Sequence, residues 1–107
     1  MNAIKLEITR WADASNVPGW VECRLVDAEG QAHFFIEKVP VITTEDLGPD
    51  TKFPRPCAIA CEVQYEWQDV AGRSLTRVDT IRPWGLESTA GQTTFVIFTW
   101  QLTSTPT

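Results

Sequence analysis

The chain has 107 residues, 43% of them apolar, with 14 acidic side chains against nine Lys and Arg, for a net charge of −5 at pH 7. That length holds one domain around one hydrophobic core, and the apolar share excludes a chain too polar to fold. The acidic balance and the lack of any Lys or Arg run exclude a surface built for phosphate backbones or anionic lipid, so neither nucleic acid nor membrane is an expected partner.

The first residues, MNAIKLEITR, have no apolar core or small-residue cleavage pair of a signal peptide. No stretch approaches the roughly 20 apolar residues that span a bilayer. Three cysteines are an odd number for a disulfide framework. In an extended run, the four-residue step from Cys57 to Cys61 puts their Cα atoms roughly 13 Å apart, too far to bridge. The expected location is therefore reducing and cytoplasmic.

Period-two alternation dominates from the start. Ile4, Leu6 and Ile8 alternate with Lys5, Glu7 and Thr9 in a strand over about 3–11. Val21, Cys23 and Leu25 mark a second over 19–27, and a third follows over 31–42. Between them, Asp27-Ala28-Glu29-Gly30 is a turn: Asp accepts from the turn's N–H groups, and Gly supplies the left-handed residue. Thr43 to Pro56 is the one long connection, with Pro49, Pro54 and Pro56; within it Thr44 to Leu47 could start one helical turn that Gly48-Pro49 stops. Val63, Tyr65 and Trp67 alternate in a strand over 57–68, with Glu62 and Glu66 on its solvent side. Asp69-Val70-Ala71-Gly72 repeats the turn, a strand over 73–87 follows, and Ser88-Thr89-Ala90-Gly91 repeats it again before a last strand over 92–102. The fold class is all-β: a single domain over 1–107 of about six mostly antiparallel strands in a hairpin meander. It forms a small barrel or a two-layer sandwich, with a frayed tail at 103–107.

Candidate chemistry is sparse. Cys23, His33, Cys57 and Cys61 form a Cys₃His inventory, but their spacing lacks the tight turn of a structural zinc site, so no metal or other cofactor is expected. His33 is the sole histidine and has no nucleophile motif beside it, so no catalytic residues are assigned. An enzyme of unidentified reaction type would draw on scattered residues such as Arg77, Asp79, Arg82 and Glu87, which flank the Arg82–Gly85 break. Arg77 and Asp79 share a strand face, where a surface ion pair with each other or with a cross-strand neighbour is the plain expectation.

The features that stand out are Trp, Arg and Pro clusters at strand ends: Pro18-Gly19-Trp20, Phe53-Pro54-Arg55-Pro56 and Arg82-Pro83-Trp84-Gly85. Proline removes a ladder donor, and Trp and Arg are the residues most enriched in interface hot spots. Pro83 and Gly85 should kink the strand and leave Trp84 partly exposed. The leading expectation is a non-enzymatic interaction module, immunity-like or adaptor-like. It would be a small acidic protein binding another, basic protein through Arg82, Trp84, Glu87, Trp20, Arg55 and Phe53. The alternative is a β barrel holding a small ligand, although six strands leave little interior. Pairing of edge strands into a dimer is a further option.

Overall fold

The computed structural model describes residues 1–104. Eight strands form two antiparallel sheets that pack as an open sandwich rather than a closed barrel. β1 (Asn2–Asp13) is the axis of the larger sheet. It pairs with β2 (Trp20–Val26) along its second half, and with β8 (Leu102–Ser104) near its start. β3 (Ala32–Lys38) lies outside β2, and β4 (Arg55–Ala60) pairs with residues 3–8 of β1. The order β3-β2-β1-β4 leaves β3 and β4 as the sheet's edges. The smaller sheet is β5 (Glu62–Gln68), β6 (Ser74–Asp79) and β7 (Thr94–Phe98).

The alternation holds where the sequence predicts it. Ile4, Leu6, Ile8, Val21, Cys23, Leu25 and Phe35 face the core, and Val78, Phe95 and Ile97 meet them from the second sheet. The Phe35 and Phe95 rings, 5.7 Å apart, join the two layers. A register shift between Ile8 and Arg10 moves the core face of β1 from even to odd positions. Trp11 therefore pairs with Val21 and packs inward, while Arg10 turns out to Glu22 at 2.8 Å. A bulge inserts one residue, and one residue exchanges the faces of a strand.

All three predicted turns form with one chemistry. Asp27 Oδ1 accepts from the N–H groups of Glu29 (2.9 Å) and Gln31 (3.0 Å), and Asp69 Oδ1 from Ala71 (3.0 Å) and Arg73 (2.9 Å). Ser88 Oγ accepts from Ala90 at 3.3 Å and Gln92 at 3.1 Å. Gly30 and Gly72 close their turns at φ +82° and +79°.

Several boundaries depart from the sequence reading. The third strand ends at Lys38, because Pro40 has no N–H for the ladder, and Val39–Ile42 form one helical turn, α1. The turn expected at Thr44–Leu47 does not form; Leu47 instead packs against the core from an irregular segment. The strand expected over 57–68 is two strands, β4 and β5, because the chain crosses from one sheet to the other at Cys61. The strand expected over 73–87 stops at Asp79 rather than kinking. Thr80 Oγ1 then donates to the Leu86 carbonyl at 2.7 Å, and Gly85 N–H to the Ile81 carbonyl at 2.8 Å, so Ile81–Gly85 is a tight loop. The last strand breaks at a 3₁₀ turn (Thr99–Gln101), after which Thr103 and Ser104 pair with β1 instead of fraying. Residues 105–107 of the expected tail lie outside the described residues.

Candidate functional site

β3 and β4 lie at opposite ends of the strand order and do not pair; α1, which continues β3, comes close to β4, and a half-open groove of about 770 Å³ lies beside them. One wall is the end of β3 with α1, the other is β4, and the Trp84–Leu86 part of the β6–β7 connection reaches over from the second sheet. The size is ordinary for a binding cleft, and most of its lining is apolar.

Two residues marked by the sequence come together here. Trp20 begins β2 and Trp84 sits in the loop held by Thr80, yet both line the groove. Trp84 is 60% exposed. Trp20 is half-buried, with Lys38 Nζ 5.4 Å above its ring in a cation–π contact. Arg82 and Glu87 are exposed in the same loop without lining the groove. Phe53 and Arg55 lie elsewhere: Phe53 meets the Trp11 ring edge-on at 6.1 Å, and Arg55 pairs with Glu45. Phe53 packs against the core, while the Arg55–Glu45 pair is exposed.

Glu37 was missed by the sequence reading. It continues the core-facing series His33, Phe35, Glu37 and stands opposite Val21. It lines the groove, and among the described residues it makes no hydrogen bond or ion pair. Burial pushes it above the ordinary glutamate value. The signal was present in the sequence: a carboxylate on the apolar phase of an alternating strand.

The other titratable groups that the sequence marked, the neighbouring Cys23 and Cys57 thiols aside, lie apart from one another among the described residues. His33 is buried, its Nε2 2.7 Å from Asp27 Oδ2 and its ring 4.9 Å from that of Phe95, away from the groove. Burial alone would raise the Asp27 carboxyl; hydrogen bonds from His33 and the N–H groups of Gln31 and Glu29 outweigh it and hold it below the usual range. Cys57 lines the groove, but its thiol is pushed up by the neighbouring buried Cys23 thiol and by burial, and burial raises Cys61 to about 11. Neither is a ready thiolate. Among the described residues, no three His, Cys, Asp or Glu side chains gather as a metal site. Arg77 and Asp79 do not pair with each other: Arg77 Nε donates to Oε1 of Gln64 on the neighbouring strand at 2.8 Å, a hydrogen bond and not an ion pair, and Asp79 Oδ1 accepts from Ile81 N–H at 2.9 Å. No described helix is long and apolar enough to cross a membrane.

Neither protein-family models, nor curated proteins, nor solved structures match this chain.

Proposed function

We propose that the protein is a non-enzymatic binding module that docks a segment of a basic partner protein in the groove between β3 and β4. The observation that carries this reading is the convergence of Trp20 and Trp84, distant in sequence, on one apolar cleft. Large aromatic side chains bury much area at small entropic cost, which is why Trp anchors interfaces. An acidic protein, at −5, gains association rate from a basic partner. Its three free thiols fit a reducing, cytoplasmic setting. The small-ligand reading is less well served, since the groove is half-open and the sheet around it is not closed.

The test is affinity capture at low salt with wild type, Trp84→Ala and Trp100→Ala. Trp100 is 70% exposed and lies outside the groove, so it controls for loss of any surface Trp. The expected result is a stoichiometric basic partner held by wild type and Trp100→Ala and lost by Trp84→Ala. Retention by all three, or capture of nothing by wild type, would overturn the proposal.

A further inference from the structure

We infer that the partner segment binds as an added β-strand on the β4 edge at Ala58 and sets a lysine or arginine side chain against Glu37. This rests on the protein-binding reading above and names the form and chemistry of the occupant.

The edge follows from the ladder. Cys61 N–H donates to the Asn2 carbonyl at 3.0 Å, which fixes the phase of the β1–β4 pairing. Directly opposed residues in an antiparallel pair alternate between bonded and non-bonded. Ile59, Cys57 and Arg55 are therefore the residues whose backbone groups turn toward β1. Those of Ala60, Ala58 and Pro56 turn the other way, where β4 has no partner strand. Pro56 agrees with this phase, because a residue without an N–H fits the unpaired side.

The groove runs along that same edge. Successive side chains of a strand point to opposite faces, so a cleft lying on one face touches every second residue. This one is lined by Cys57 and Ala58 together, and by Glu37 and Lys38 together. It abuts the strands from the side. Ala60 is nearly buried, whereas Ala58 is half-exposed, with a methyl side chain that leaves its backbone approachable. Exposed edges are commonly blunted by charge or proline. Pro56 does this on one side of Ala58, which limits an added strand to a short pairing centred there. Across the groove, Lys38 holds its ammonium over the Trp20 ring, which leaves Glu37, without a polar partner among the described residues, as the charge an incoming cation would meet; strand addition lets side chains supply such specificity while the backbone supplies affinity.

The experiment titrates isotope-labelled protein with the blocked peptide acetyl-Val-Lys-Val-Lys-Val-amide, its fully N-methylated form, and acetyl-Val-Glu-Val-Glu-Val-amide. The readouts are the Ala58 amide and the Trp20 and Trp84 indole resonances. The lysine peptide is expected to shift all three. N-methylation should weaken it at least about tenfold, since hydrogen bonds to the edge are lost. The glutamate peptide should bind at least about tenfold more weakly, and Glu37→Gln should narrow that difference. Equal binding of the N-methylated peptide, with the indoles still shifting, would overturn strand addition while leaving the groove as the docking site. Equal binding of the lysine and glutamate peptides would overturn the role of Glu37. No indole shift with any peptide would overturn the docking reading itself. An Ala58 shift that depends only on protein concentration would replace the partner with a second copy of this chain.

Discussion

Glu37 stands directly opposite Val21 in the β2–β3 ladder, on the face of the sheet that carries the core, and it has no polar partner among the described residues. Its folded carboxyl titrates above 4.5, the value for an unburied glutamate, because burial disfavours the charge. Between those two values the folded state binds more protons than the unfolded state, so stability falls as pH rises through that window. Glu37→Gln removes the penalty. Its melting temperature should exceed that of wild type at neutral pH, and the gap should close once the pH is well below 4.5. Thermal melts at the two pH values decide it; a variant less stable at neutral pH would show that Glu37 contributes to folding.

Gly30→Val and Gly72→Val should each destabilise the protein by at least about 1 kcal/mol in urea unfolding. An added Cβ meets nothing within 4 Å at either position, so the cost is the backbone conformation, φ +82° and +79°, and not a clash. Asn, which tolerates the left-handed region, should cost less at both. Gly48 has ordinary φ and open space, and Gly48→Ala should be nearly neutral. Equal, negligible effects at all three sites would contradict the turn assignment.

Asp27→Ala should cost more than Asp69→Ala, although both residues cap the same type of turn. Asp27 also holds the buried His33, whose ring nitrogen would be left without a partner, whereas the Asp69 partner Arg73 is exposed. The folded Asp27 pKa is depressed below 3.8. Its electrostatic contribution is thus present above 3.8 and lost as pH falls through the folded value. The stability difference between wild type and Asp27→Asn should shrink in acid by that route, as denaturant titrations across pH would record.

Trp84→Ala should leave the fold nearly intact, at a cost below about 1 kcal/mol, because the ring is mostly exposed. Trp11→Ala should cost about 3 kcal/mol, since Trp11 packs with Phe53 against the core. Unfolding of Trp84→Ala at ordinary temperature would make that ring a core element and remove it from the docking surface.

Chelation should leave the melting temperature unchanged, and the purified protein should carry no stoichiometric zinc. His33 is committed to Asp27, and the Cys57 thiol sits beside that of Cys23. In the folded protein Cys57 should also react slowly with thiol reagents at neutral pH, since it stays protonated. A melting temperature that falls by several degrees with chelator would reveal a structural metal.

The sequence by itself determined the local structure: which residues alternate, and where Asp or Ser followed three residues later by Gly turns the chain. Both depend on neighbours a few positions apart, so they are readable along the chain. It also marked Trp20 and Trp84 as unusual, through the prolines beside them. Only the tertiary structure decided that the run through Cys61 belongs to two sheets, and that β3 and β4 are edges with a groove between them. Pattern reports the faces of a strand but not its partners, because partners are chosen by pairing between distant segments. For the same reason Phe53, which shares with Trp84 a proline-rich setting, packs against the core, and Arg55 beside it pairs with Glu45 away from the groove. Glu37 is the one carboxylate residue among the described lining of the groove because its strand register sets it opposite Val21, on the phase of His33 and Phe35.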